Sequence, residues 1–194
     1  MTAPDQEWLT PYLPLLRGQM VHHVLEIGCG AGFDTECLAA EGFDVTATDF
    51  SMNALSIVRE RLPAVKLLLH NTRDPFPFSS DAFDLVLASL SLHYFDERTT
   101  REIVDEIKRL LRPKGLLLFR VNSTSDHSFG SGQGDLLEQH FFVQDGIRRR
   151  YFTEDSCRGL FPASDWEELV LEEKVVERYR KSKALYEGLM QKKA

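Results

Sequence analysis

Long apolar runs are missing from this sequence. No stretch approaches the roughly 18 apolar residues that a membrane-spanning helix needs, so none is expected in a bilayer. The N-terminus also lacks a basic stretch followed by an apolar run and a small-residue cleavage site, so no secretory leader is expected. Cysteine is scarce: Cys29, Cys37 and Cys157 are odd in number and too scattered for a disulfide framework, which suits a reducing, cytoplasmic compartment. Nor is there a surplus of cations. With 23 Lys and Arg against 30 Asp and Glu the formal charge is −7, and a nucleic-acid partner is not expected on that balance. Two local basic stretches, Arg148-Arg149-Arg150 and Arg178 to Lys183, run against it and read either as solvated faces or as a phosphate-binding patch. The six histidines show no paired metal-ligand spacing with acids or thiols, so no metal is expected.

What is present is an alternation of strand and helix patterns. Val21–Ile27 is an apolar run ending in Gly-Cys-Gly, a buried strand and then a turn. Phe33–Glu41 has helical spacing with Gly42 placed to cap it. Asp44–Thr48 predicts a second strand, Ser51 an N-cap for a helix that stops before Pro63, and Val65–Leu69 a third strand. A polar, proline-bearing loop spans 71–80, and Phe83–Ala88 predicts a fourth strand. Thr99–Leu111 carries one apolar helical stripe. Arg112-Pro113-Lys114-Gly115 reads as a turn in which Gly supplies positive φ, before a fifth strand over Leu116–Val121.

Near-continuous apolar strands separated by amphipathic helices predict a parallel sheet covered on both faces, hence a doubly wound α/β fold. Past residue 122 the pattern loosens into a Ser/Gly-rich loop over 122–135. A short strand over Ile147–Phe152, a capped helix over Thr153–Phe161 and strands over Trp166–Val176 and Lys183–Gln191 follow. The length suits one domain over 1–194, with 1–20 as an N-terminal cap, 20–122 as a cofactor-binding half and 123–194 as a substrate-side half.

Ligands of doubly wound folds sit beyond the carboxyl ends of the strands, which directs attention to Glu26-Ile27-Gly28-Cys29-Gly30-Ala31-Gly32. Glycines there let a ligand approach the backbone closely. Asp49, at the end of the second strand, is placed to accept both hydroxyl hydrogens of a ribose. A dinucleotide wants Gly-x-Gly-x-x-Gly, whereas here the spacing is Gly-x-Gly-x-Gly after an acid. Glu26 suits a cationic amine better than a pyrophosphate. S-adenosylmethionine offers an ammonium, a sulfonium and an adenosine.

The segment Val24 to Gly32 resembles the first signature of class I S-adenosylmethionine-dependent methyltransferases. Thr48-Asp49-Phe50-Ser51 resembles their second; Phe76-Pro77-Phe78 and Phe83-Asp84-Leu85-Val86 resemble their third and fourth. Leu110-Leu111-Arg112-Pro113-Lys114-Gly115 is similar to the turn before their fifth strand. Within the class the chain is most similar to small-molecule and tellurite-resistance-type members. The resemblance implies a Rossmann-like fold with a mostly parallel seven-stranded sheet, its last strand antiparallel. It implies that Gly28, Gly30 and Gly32, with Cys29 between them, pass under the methionine and ribose. Glu26 would order the loop and face the ammonium, Asp49 would take the ribose, and Phe50, Ser51 and Met52 would lie against the adenine. Asn71 and Thr72 stand where the family usually has an acid near the adenine amine, a departure from the pattern. Ser89 and Leu90 would lie beside the methionine arm.

Several of these positions also have plainer readings. Cys29 reads as a small filler in a tight loop rather than a nucleophile, and Phe50 and Met52 are equally core. His93, in the segment that the family uses to line its reaction site, reads as a general base or as a structural residue at a helix start. Tyr94 shares that ambiguity. Trp8, Asn122, His127 and His140 are expected around the acceptor. The resulting expectation is in-line methyl transfer to a small-molecule acceptor, leaving S-adenosylhomocysteine, by a monomer or homodimer. A non-catalytic S-adenosylmethionine-binding adaptor and a methyltransferase of RNA or protein are the alternatives.

Overall fold

The computed structural model describes residues 6–194. Its first five strands are β1 (His23–Ile27), β2 (Asp44–Asp49), β3 (Lys66–Leu69), β4 (Phe83–Ser89) and β5 (Leu111–Asn122). Three short strands follow, β6 (Asp135–Glu138), β7 (Phe141–Gln144) and β8 (Ile147–Arg150), and then β9 (Trp166–Arg178) and β10 (Lys181–Lys192). Seven of them form one sheet in the order β3-β2-β1-β4-β5-β10-β9. β1 to β5 pair in parallel, while β10 is antiparallel to both β5 and β9. The expected doubly wound sheet with an antiparallel last strand is therefore present, and β10 lies inside it rather than at its edge.

The helices are α1 (Leu13–Gly18), α2 (Phe33–Ala40), α3 (Met52–Arg61), α4 (Glu97–Leu110) and α5 (Glu154–Arg158). Their placement follows from strand parity, because alternate side chains on a strand face opposite sides. Val24, Leu85, Leu87, Leu116 and Leu118 face α1, α2, α3 and the N-terminal segment, in one cluster with Leu16, Leu38 and Val58. Leu25, Ile27, Val86, Leu117 and Phe119 face the other way, onto α4 and α5 through Ile103, Ile107 and Cys157. Glu26 and Arg120 fall on the first face by the same parity, so each brings a charge into an apolar layer.

Local signals held where the chemistry is simple. Ser51 caps α3 by accepting from the Ala54 amide, and Thr153 and Ser156 close a reciprocal cap on α5. α4 begins two residues before the predicted Thr99, because Asp96 Oδ1 accepts the Thr99 amide at 2.8 Å. Two expectations need correcting. Arg112 to Gly115 is a bulge within β5 rather than a turn before it, and its positive φ (65°) is at Lys114, not Gly115. Gly115 is small for another reason: a Cβ there would sit 2.9 Å from the Arg112 carbonyl oxygen. The second correction is a separate antiparallel sheet, β6-β7-β8, where only the last strand is predicted. All four β6 residues are exposed, so that strand has no apolar alternation to read. Among the described residues, no helix is long and apolar enough to cross a membrane.

Candidate functional site

The loop after β1 is held by its neighbours before any ligand is considered. The Gly28 and Cys29 amides both donate to the Thr48 carbonyl at 2.9 Å, tying the turn to the end of β2. Gly28, Gly30 and Gly32 have φ of 75°, 52° and 77°, conformations that side chains rarely adopt. The space around them differs. A Cβ on Gly28 would meet Ser91 Cβ at 2.7 Å, and one on Gly32 would meet Val58 Cγ2 at 2.7 Å. At Gly30 none of the described residues comes within 4 Å of such a Cβ. The outer two glycines are pinned against protein, and the middle one opens its backbone to space.

Asp49 lies on the rim of that space. One of its oxygens accepts from the Gly30 amide at 2.9 Å and the other from the Ser51 amide at 2.8 Å. Glu26 is beneath the loop, only 2% exposed, and accepts a hydrogen bond from Thr35 Oγ1. It forms no ion pair among the described residues. Burial pushes its carboxyl up to about 8, helped by the nearby negative charges of Asp34 and Asp49 and opposed by the Thr35 hydrogen bond. A buried acid with its charge unanswered suits a cationic group, which the ammonium of S-adenosylmethionine supplies. Phe50 and Met52 are 80% and 58% exposed, which removes the reading of them as core and leaves an apolar surface next to Asp49. These residues fit an adenosine bearing an amine.

The other expected contacts are less available. Asn71 Oδ1 accepts the Arg73 amide, within the loop that leaves β3 beside Asp49. Thr72 is half-buried in the same loop. Ser89 Oγ accepts from Arg120 Nε and Nη2 at 3.2 and 3.0 Å, and Leu90 turns the chain with φ 54°. Cys29 is buried, and burial drives its thiol strongly upward, which favours the filler reading over a nucleophile.

On the acceptor side, His93 sits on a single turn over Leu92–Tyr94, 4% exposed, with no hydrogen-bond partner on Nδ1 among the described residues. Burial lowers its pKa well below the ordinary imidazole value, and the positive charges of Lys183, Arg149 and Arg178 lower it further. Tyr94 packs on it at 4.3 Å and is 43% exposed. Trp8 is an interior residue, donating from Nε1 to Asp34 at 2.8 Å under the Arg120 guanidinium. Asn122 is buried and accepts from Lys183 Nζ at 2.7 Å. His127 is exposed on a short turn, and the His140 carbonyl accepts the Tyr151 amide in the small sheet. The structure brings Glu26, the glycines, Asp49 and Ser51 into one network. The acceptor candidates are instead spread over the N-terminal segment (Trp8), the turn after β4 (His93, Tyr94), the end of β5 (Asn122) and the loops after it (His127, His140).

Sequence reasoning missed Thr35, Asp34, Arg120 and Lys183. A readable signal existed for two of them. Arg120 interrupts the apolar run of β5, and Lys183 is the last cation of its basic stretch, directly before the apolar run of the final strand; a charge so placed needs a partner.

Residues 24–115 match the family model described as a methyltransferase domain. That stretch is just under half of the chain, and the fold is that of S-adenosylmethionine-dependent methyltransferases. The cofactor of such a domain is S-adenosylmethionine. Among curated relatives it is 28% identical over 153 residues to the tRNA N(3)-cytidine methyltransferase METTL2 of Gallus gallus, covering 72% of this chain and 41% of that protein. It is 26% identical over 176 residues to the putative methyltransferase YqeM of Bacillus subtilis, covering 76% of this chain and 70% of that one. The chain thus spans less than half of one of these relatives and most of the other. Among solved structures, a S-adenosylmethionine-dependent methyltransferase of Methanosarcina mazei aligns with TM-score 0.78 at 19% identity, over 93% of this chain and 97% of that one. The 1,6-didemethyltoxoflavin N1-methyltransferase of Burkholderia thailandensis, solved with S-adenosylhomocysteine, aligns with TM-score 0.74 at 20% identity, over 98% and 80%. These two likenesses concern the fold. Neither the tellurite-resistance placement nor the exclusion of nucleic acid gains support from the relatives, one of which is named for tRNA.

Proposed function

We propose that this protein transfers a methyl group from S-adenosylmethionine to a small-molecule acceptor by in-line displacement. The observation that carries the reading is the Gly30–Asp49 pair over buried Glu26: open backbone, a ribose-accepting carboxylate and an unanswered acid in one place. When bound, the cofactor supplies a methyl group on an already cationic sulfur, so its leaving group needs no activation. The protein's task is then alignment. Gly28 to Gly32 and Asp49 fix one partner, and near-attack positioning is worth roughly 7–11 kcal/mol of barrier. His93, neutral at neutral pH, supplies a proton acceptor for a nucleophile that carries a proton.

The small-molecule acceptor is supported by the acidic overall charge. RNA is the second reading, favoured by the tRNA methyltransferase among the relatives. The test starts with calorimetric titration of S-adenosylmethionine, S-adenosylhomocysteine and NADH. Micromolar binding of both sulfur nucleosides and none of NADH is expected; silence from both sinks the proposal. Turnover to S-adenosylhomocysteine is then compared in a small-metabolite extract and in unmodified tRNA. Product formed with tRNA alone decides for the second reading, and none with either decides for a non-catalytic binder.

A further inference from the structure

Most cations of this protein are paired. Arg17, Arg61, Lys66, Arg98, Arg101, Lys108, Arg109, Arg112, Arg158, Lys174 and Lys192 each sit against a carboxylate. Arg148, Arg149, Arg178, Arg180 and Lys181 form no ion pair among the described residues, in a chain whose formal charge is −7. They cluster on two hairpins, β7–β8 and β9–β10. Because β9 runs with β1 to β5, its end at Arg178 lies at the carboxyl edge of the sheet, the edge that carries Asp49 and the glycine loop. The small sheet reaches the same edge: Arg150 Nε donates to the Phe95 carbonyl at 3.2 Å, and the Phe152 amide donates to that of Asn122 at 2.8 Å.

Within this set two side chains differ from the rest. Arg149 and Arg178 are half-buried, whereas Arg148, Arg180 and Lys181 are exposed. His93 stands on the turn two residues before Phe95, whose carbonyl holds the small sheet, and among the described residues it is nine-tenths buried and without a partner on Nδ1. Lys183 completes the surround, but its ammonium is occupied by Asp126 and Asn122 at 2.9 and 2.7 Å. The two hairpins meet at Asn122, reached by Lys183 Nζ from one and by the Phe152 amide just beyond the other. The electrostatics agree with this placement: Arg149 and Arg178 both disfavour the protonated forms of His93 and of Lys183. A half-buried pair of unanswered cations beside an unpartnered imidazole is a site short of an anion.

We propose that Arg149 and Arg178 bind an anionic group of the methyl acceptor, a carboxylate or a phosphate, and seat the acceptor against His93. The guanidinium forks match both anions in two-point geometry. This rests on the reading of the domain as a methyltransferase, and it narrows the acceptor to a small acid.

The test uses the full chain saturated with S-adenosylhomocysteine, with inorganic phosphate and malonate as separate probes and histidine ring signals followed by NMR. The expected result is saturable binding of at least one probe that moves the His93 signals. Arg149→Gln and Arg178→Gln should each weaken that binding by about tenfold or more, while Arg59→Gln, on α3, leaves it unchanged. Phosphate without malonate identifies a phosphorylated acceptor, and the reverse a carboxylic one. Weak binding indifferent to both arginines, an adventitious ion only, overturns the proposal. So does exclusive binding of a single-stranded oligoribonucleotide with the loss spread over Arg148, Arg180 and Lys181. Binding of S-adenosylhomocysteine, measured on the same samples, separates the two failures: if it is absent, the methyltransferase reading falls as well.

Discussion

Asp49 reaches back across the end of β1 to accept the Gly30 amide proton at 2.9 Å, and so fixes the loop residue with the most open surroundings. The carboxylate expected to hold a ribose is therefore also a strut of the loop. Its second oxygen braces the Ser51 amide at the start of α3. One side chain joins three elements, which makes it the natural first target.

Asp49→Ala should weaken S-adenosylmethionine binding by about tenfold or more, or ~1.4 kcal/mol, with the fold retained. It also strips two backbone donors of their acceptor, so a loss of about 1–2 kcal/mol in stability should accompany it. Asp49→Asn keeps an acceptor for one of them and should lose less stability. Calorimetric titration and denaturant melts of both variants check this; unchanged affinity in Asp49→Ala would remove the ribose assignment.

Glu26 gives a pH dependence whose sign is fixed. Its carboxyl is near 8 in the folded protein against an ordinary 4.5. Between those values the folded state holds the extra proton, so stability falls as pH rises through the window and the cost is complete above it. Glu26→Gln should therefore melt at a higher temperature than the parent at pH 8, by an amount equivalent to a few kcal/mol at most, and at about the same temperature at pH 4. Cofactor binding should move in the opposite sense, weakening in the variant. In the parent, binding should release a proton near neutral pH, read as a dependence of binding heat on the buffer's ionisation enthalpy.

His93→Gln tests the proton acceptor. Turnover should drop by about 10²–10⁴-fold with cofactor affinity unchanged. An unchanged rate assigns the ring to packing on Tyr94. Because burial holds the imidazole below 6.5, stability due to the neutral ring is present above that pH and is lost as pH falls through the depressed value.

Gly188→Ala addresses the sheet away from the site. A Cβ there would lie 2.3 Å from the Phe119 ring, which is fully buried and packs on Phe161 at 5.1 Å. Overpacking of this kind costs about 1–3 kcal/mol. Thermal melts should show the loss while S-adenosylmethionine affinity at low temperature is retained, since Phe119 faces away from the glycine loop.

The cofactor half was legible because its requirements are local. A turn that needs three positive-φ residues in five positions shows as Gly28, Gly30 and Gly32, and a strand ending at an acid shows as Asp49. Parity of the apolar runs then orders the layers. The acceptor side was harder to read because its contacts are long-range. Nothing near Asn122 announces that Lys183 will occupy it, and nothing near Trp8 announces Asp34. Ser89 and Arg120 meet because β4 and β5 pair, a relation that only the register reveals. The small sheet escaped notice because exposed Leu136 and Leu137 stand where an alternation would need one inward residue.

The position of β10 bears on how the chain folds. β5 presents Leu116 to Asn122 along an edge that is closed by residues 185 to 191, far later in the sequence. Until that segment arrives, a ribosome-bound or partly refolded chain offers an unpaired apolar strand to any other strand nearby. Assembly of the sheet therefore waits on a distant, antiparallel insertion, and the slow step of folding is expected to be this docking.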